Sequence, residues 1–359
     1  MISSEILFVG VGQAGGNLTD ELVGKNRRIA GVCINTNKAD VEALDNITSK
    51  PIIFPNAVGA GRDRDTAKGF LQDASNTLML MDSLKSYLEV KKHIYIAFSL
   101  GGGTGSGLTP AILKFMEMQM PNVIFNLVAM LPRKEESRLA HANAIACWNE
   151  LDGLRNIGSI FLIDNNKKRN NSAINREFAT LFNDFLNSPN AHKTVIMDAQ
   201  ELSTMVSGRG LMAIYNIDKY MDEPSQVIKE EVDADSIFVL KNDNCEYVGL
   251  SVPEDYNAED MFGVWKPSID KFHGICKDKA LMIVSGVPRT QAAIEHIVSE
   301  YQKQNEDFKA NAVTDGSVSA KIDIDLPTRK TKVTAQTEAQ SIDELFENGK
   351  DIWDVLNNL

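Results

Sequence analysis

Two glycine-rich segments, each set between an apolar run and an amphipathic stretch, constrain this chain more than any other feature. The first, Gly10-Val11-Gly12-Gln13-Ala14-Gly15-Gly16-Asn17, follows the strand-like run Ile6–Val9 directly. The second, Gly101–Gly107, packs five glycines, Thr104 and Ser106 into seven residues after the run Ile94–Phe98. Glycine lets the backbone approach a ligand closely, and the start of the following helix offers free N–H groups and a partial positive charge. Two such loops after two parallel strands point to one polyphosphate lying across the strand ends. Neither is a Walker loop, because no lysine follows the glycines. A dinucleotide fold would place an acid at the end of its second strand. Here Ile29–Ile34 leads into Asn35-Thr36-Asn37, with no carboxylate before Asp40.

The rhythm of the first half supports that setting. Further strand-like runs at Val123–Met130 and Ser159–Ile163 alternate with helix-like stretches at Asn17–Val23, Thr66–Val90, Thr109–Met118 and Arg138–Leu154. Such alternation predicts a parallel sheet covered on both faces. After a polar connector, Phe178, Leu181, Phe182, Phe185 and Leu186 repeat at helical spacing, and Ser188-Pro189-Asn190 should end that helix. The second half has strand-like Ser236–Leu240, Ala280–Val284 and Val318–Leu326 around helix-like Thr290–Tyr301, a smaller α+β unit. Pro327–Gln340 is polar, lacks aromatics and reads as a linker. The last segment opens with the capping-box spelling Ser341-x-x-Glu344 and carries Ile352, Val355, Leu356 and Leu359 on one helical face, with Trp353 beside them. The expected units are residues 1–170, a connecting helix over 171–194, a C-terminal unit over 195–327, and a linker with tail over 328–359.

Length and charge narrow the classes. A chain of 359 residues with net charge −12 lacks the cationic surface that direct nucleic-acid binding needs. Four scattered cysteines and five histidines without ligand spacing argue against a disulfide framework and against a protein-held metal. Apolar runs of strand length predict no membrane span, and the cytoplasm is the expected compartment.

The Gly101–Gly107 run, GGGTGSG, resembles the signature of the tubulin/FtsZ superfamily of GTPases, and Gln13 in the first loop is closer to tubulin's version than to FtsZ's. The resemblance runs in order over about the first 215 residues and continues weakly to about Leu326. It implies a Rossmann-like GTPase domain, a long central helix and a smaller C-terminal domain. It also implies GTP or GDP as ligand, with Mg²⁺ held mainly by phosphates and water. By it, Gly12, Gln13, Ala14, Gly15 and Asn17, together with Gly102, Gly103, Thr104, Gly105 and Ser106, would cradle the phosphates. Gly61 and Arg62 fall in a γ-phosphate loop, and Arg138 opens a helix whose Arg reaches phosphate in FtsZ. Glu135 or Glu136 would meet the ribose. Asn165, in Ile163-Asp164-Asn165, and Asn175 would read the guanine. Asn171 stands where the family has an aromatic residue. The connector Asn165–Asn175 is short for the family, by the length of one helix.

Met197-Asp198-Ala199-Gln200-Glu201-Leu202 resembles the family's acid loop, in α-tubulin's D-x-x-E spelling; Asp-x-x-Glu also spells a capped helix start. Asp198 lies 23 residues past Asn175, about 30 Å along a helix, too far to serve its own subunit's phosphates. In tubulin and FtsZ the matching acids complete the next subunit's site, so Asp198 and Glu201 would be catalytic in trans, in a head-to-tail filament. The chain most resembles the TubZ-type tubulins of plasmids and phages. That implies DNA segregation through a small DNA-binding adaptor, with no direct nucleic-acid or membrane contact. An FtsZ-like division-ring former is the alternative, and a Rossmann-fold metabolic enzyme a weaker one.

Overall fold

The computed structural model describes residues 2–191, 195–276 and 279–314, with side chains as far as Phe308. Its strands are β1 (Ile6–Val11), β2 (Ala30–Asn35), β3 (Ile52–Ile53), β4 (His93–Ser99), β5 (Phe125–Leu131), β6 (Ile157–Asp164), β7 (Gly210–Asn216), β8 (Cys245–Val252), β9 (Pro267–Ile275) and β10 (Leu281–Val287). The helices are α1 (Gly12–Lys25), α2 (Lys38–Glu42), α3 (Arg64–Gly69), α4 (Ala74–Leu88), α5 (Thr104–Gln119), α6 (Arg138–Glu150), α7 (Asn171–Ala191), α8 (Ala199–Val206), α9 (Ser225–Asp235), α10 (Ala258–Trp265) and α11 (Glu295–Thr314). The expected α/β class is what the chain adopts.

All ten strands form one sheet, in the order β3-β2-β1-β4-β5-β6-β7-β10-β8-β9. Pairing is parallel from β3 to β7; β10 runs antiparallel to both β7 and β8. The chain moves one way from β1 to β2 and the other way from β4 to β5. Right-handed crossovers therefore put α1 and α5 on opposite faces and open a crevice past the C-terminal ends of β1 and β4. Helix α1 packs on α7, and α5 packs on α3 and α6. On the α7 side, Phe182 meets Phe8 and Tyr95 at 5.3 Å each, Phe178 at 5.6 Å and Phe161 at 5.9 Å between ring centroids. This buried aromatic cluster is the apolar stripe read from the sequence, closed over the sheet.

Several expectations change. Helices α1 and α5 begin at Gly12 and Thr104, so much of each glycine run is helix rather than loop. The stretch 66–90 is not one helix: Asp73 caps a new start, its carboxylate accepting from the Ser75 amide. Helix α7 runs through Pro189 to Ala191. Proline cannot donate to the Phe185 carbonyl, and the Ser188 hydroxyl does so instead at 2.8 Å. Ser236–Leu240 is no strand; Phe238 makes a single bridge to Ile163. Strands β7, β8 and β9 had not been anticipated. The connector holds one 3₁₀ turn, Asn165–Lys167, before α7. The expected strand Val318–Leu326, the linker and the tail lie outside the described residues.

Candidate functional site

A cleft of about 610 Å³ opens past the C-terminal ends of β1, β2 and β4. Its walls include Gly12, Gln13 and Ala14 from the start of α1, and Gly101, Gly102, Gly103, Thr104 and Gly105 at the start of α5. Neither helix has a side-chain N-cap, so the first-turn N–H groups of both are left for a ligand. By contrast α2, α3, α4, α6 and α8 are each capped by an Asn, Asp or Ser side chain. The two uncapped starts are locked together. Gly12 holds φ 72°, and a Cβ there would come within 3.1 Å of the Gly105 nitrogen. The Thr36 and Thr104 hydroxyls bond at 2.7 Å, tying the end of β2 to the start of α5.

A third wall is the loop Gly59–Arg62, with φ of 97° at Gly59, 55° at Gly61 and 65° at Arg62. A left-handed arginine is strained, and strain of this kind collects at functional loops. The loop is held down by Asn143 on α6, whose amide donates to the Arg62 carbonyl at 2.9 Å and the Gly102 carbonyl at 3.3 Å. The Arg62 guanidinium pairs with Glu136 at 3.4 Å and donates to the Ser137 hydroxyl at 3.0 Å. Glu136 also accepts from the Arg133 amide, at 3.1 Å, and lines the cleft, as Glu135 does not.

The far end of the cleft carries Asn165, Asn171 and Arg133. Asn165 is buried and its Oδ1 has no partner, an acceptor waiting for a donor. The Asn171 side chain accepts from Arg133 Nε at 3.1 Å, and Arg133 Nη2 donates to the Lys168 carbonyl at 3.0 Å. Thr36, Asn37, Gly59 and Arg133 also line the walls. Gly59 shares the loop of Gly61 and Arg62, Thr36 and Asn37 lie in the turn after β2, and Arg133 lies in the loop that carries Glu136, but spacing alone does not single these four out.

Other expected residues lie outside these walls. A Cβ on Gly15 would sit 2.0 Å from the Ala97 carbonyl oxygen, so that glycine lets α1 pack on β4. Asn17 is exposed farther along α1. Ser106 is buried, its hydroxyl donating back to the Gly102 carbonyl. Arg138 turns to α11, donating to Asn305 at 3.0 Å and lying 4.9 Å over the Phe308 ring. Asn175 is nearly buried one turn beyond Asn171.

Asp198 and Glu201 form a reciprocal capping box at the start of α8. The Asp198 carboxylate accepts from the Gln200 and Glu201 amides at 2.7 and 2.9 Å, and Glu201 accepts from the Asp198 amide at 2.7 Å. Two residues on, the Ser203 hydroxyl contacts His93 Nε2 at 3.2 Å. His93 opens β4, whereas the cleft lies past its other end at Ser99. The acids therefore stand at the opposite edge of the sheet from the cleft. Among the described residues no cluster of three His, Cys, Asp or Glu could hold a metal. All four cysteines are free and buried, and burial pushes the Cys33, Cys147 and Cys245 thiols up to about 12, which rules them out as nucleophiles at neutral pH.

A sheet reversing direction at a cleft of two uncapped helix starts, with a long helix leading to acids at the far edge, defines a tubulin-type nucleotide-binding fold. The GTPase-domain model of the tubulin/FtsZ family matches residues 5–173. The chain is 30% identical over 351 residues to the tubulin-like protein TubZ of Clostridium botulinum C phage, covering 96% of each. It therefore belongs to the tubulin/FtsZ family. The solved structure of a tail-truncated C. botulinum phage c-st TubZ superposes with TM-score 0.78 at 29% identity, over 86% of this chain and all of that one. A GTPγS-form protofilament of Bacillus thuringiensis serovar israelensis TubZ shares the fold, with TM-score 0.74 at 16% identity over 87% and 94% of the chains.

Proposed function

We propose that the chain is a filament-forming GTPase whose site is completed by the next subunit. The observation that carries this is the placing of Asp198 and Glu201 at the sheet edge opposite the cleft. A triphosphate would lie on the uncapped starts of α1 and α5, with Mg²⁺ held by phosphates and water. Its base would meet Asn165, whose unpartnered Oδ1 suits the N–H groups of guanine. Phosphoryl transfer depends on positioning and electrostatics, and Asp198 and Glu201, the acids that would orient an attacking water, lie away from their own subunit's cleft. A head-to-tail contact would bring Asp198 Oδ2 and Glu201 Oε1, the oxygens outside the capping box, over the neighbour's phosphates. One carboxylate would then orient or partly deprotonate the water.

Exposed apolar side chains flank both ends of such a contact: Val58 and Leu139 near the cleft, Val195 and Ile196 beside the acids. The contact is heterologous and does not close, so it propagates as a filament. The likeness to TubZ over nearly the whole chain supports DNA segregation through a small DNA-binding adaptor, and the −12 charge suits a partner that carries the DNA contact itself.

The test is GTP turnover per subunit against protein concentration. It should rise steeply at the onset of pelleting. Asp198→Ala with Glu201→Ala should bind GTP as the parent does and still pellet, yet turn over roughly a hundredfold more slowly. Equal turnover by dilute monomer and by filament would refute completion in trans.

A further inference from the structure

A second cavity is larger than the nucleotide cleft. It measures about 820 Å³ and lies behind the turn that carries Asn165, between the end of β6, α9, the segment 238–244 and the start of α11. Its floor is apolar, with Phe238, Leu240 and the buried Trp265. The Trp265 indole N–H has no partner there.

Its rim is cationic, in a chain that is otherwise acidic. Lys229 is neutralised by Asp233 and Asp243 at 3.0 Å each, and Lys167 caps the Ala234 carbonyl at 2.7 Å. Lys134, Lys241 and Lys266 have no ion-pair partner among the described residues. Asp164 and Glu295 are the remaining carboxylates of the lining. Lys241 and Lys266 also hold φ of 60° and 47°. At Lys266 this is the left-handed C-cap of α10, its N–H donating to the Phe262 carbonyl at 3.1 Å. A cavity with an apolar floor and three ammonium groups without ion-pair partners at its rim suits an acidic, amphipathic peptide.

The chain carries such a peptide. Residues 341–359, SIDELFENGKDIWDVLNNL, hold five carboxylate side chains against one lysine, with Ile352, Trp353, Val355 and Leu356 among them. Helix α11 starts at the cavity wall with Glu295 and His296, and its 20 residues carry the chain about 30 Å away. Residues 315–340, 26 in all, separate the end of α11 from residues 341–359, and at up to about 3.3 Å per residue they are long enough to reach back over the helix's length. We infer that this cavity is the docking site of the chain's own residues 341–359, in the molecule that carries them. Since the cavity and the nucleotide cleft share the turn Asp164–Lys167, docking would brace the base-reading end of the cleft.

The test is carbodiimide coupling, which joins an amine to a carboxylate only in direct contact, on the dilute full-length chain mixed from ¹⁵N-labelled and unlabelled protein. Lys134, Lys241 or Lys266 should couple to acids between Asp343 and Asp354 within single-isotope chains. Lys241→Glu with Lys266→Glu, both exposed and unpaired, should cut the coupling of the remaining Lys134 at least fivefold without lowering Tm. Adding Asp351→Lys with Asp354→Lys should restore coupling in the reverse sense. Absence of the coupling in the parent, coupling unaffected by charge reversal, or coupling only between isotopically different chains would each overturn the proposal, the last in favour of a second copy.

Discussion

At the scale of single residues, two positions separate binding from folding. Asn165 Oδ1 is buried and unbonded, so the side chain does little for the unliganded fold. Asn165→Ala should leave Tm unchanged or slightly raised while weakening GDP about tenfold or more, read by direct titration, with ATP analogues unaffected. Gly15 is the converse. Any side chain would enter the Ala97 carbonyl, so Gly15→Ala should cost several kcal/mol by forcing α1 off β4, a loss visible in denaturant melts before any ligand is added. Both were read from the sequence as site residues. What distinguishes them is which atom faces the cleft and which faces the sheet, and a spacing carries no such direction.

At the scale of elements, α7 bears the heaviest packing. Phe182 is fully buried among five aromatic rings drawn from β1, β4, β6 and α7 itself. Phe182→Ala should destabilise the chain by about 3–5 kcal/mol, measured by chemical denaturation. Helix α6 is tied down differently. Burial alone would raise the Glu150 carboxyl, but Lys68 at 2.7 Å and the Arg64 guanidinium hold it below the usual carboxylate range. A carboxyl lowered in the folded state contributes stability above its unfolded value, near 4.5, and loses it as pH falls through the folded one. Glu150→Gln should therefore be less stable than the parent at pH 7, by about 1 kcal/mol after allowance for solvent screening. That gap should close as the pH falls from the unfolded value through the lower folded one.

At the scale of the whole molecule, the seam between the two halves is narrow. Strands β6 and β7 share the pairs Ser159 with Gly210 and Ile160 with Leu211, and the bridge from Ile163 to Phe238 adds one more. Side chains make the rest of the joint, including Phe238 against Phe161 at 5.5 Å, the Arg138 bond to Asn305 at 3.0 Å, and the ion pairs of Arg289 with Asp152 at 3.1 Å and Lys279 with Asp184 at 2.7 Å. A ligand at the base end of the cleft and a neighbour at the acid loop would bear on opposite ends of α7, which spans that seam.

The sequence by itself determined the class of fold, the two glycine segments and the stripe of α7. Periodicity and glycine placement are local properties, and backbone sterics read them locally. It did not show β7 and β8, whose residues are mostly buried on both faces and so do not alternate, or β9, which is largely exposed over its first half. Nor could it tell that Arg138 turns to Asn305 and Phe308, or that Asn143 secures the Arg62 loop. Those contacts join residues 167, 170 and 81 positions apart, and only the closed sheet brings them within reach. The acids show the division most clearly. Asp198 and Glu201 spell their own capping box, but that they stand at the edge away from the cleft follows from β4, whose one end touches Ser203 and whose other end opens on the glycines.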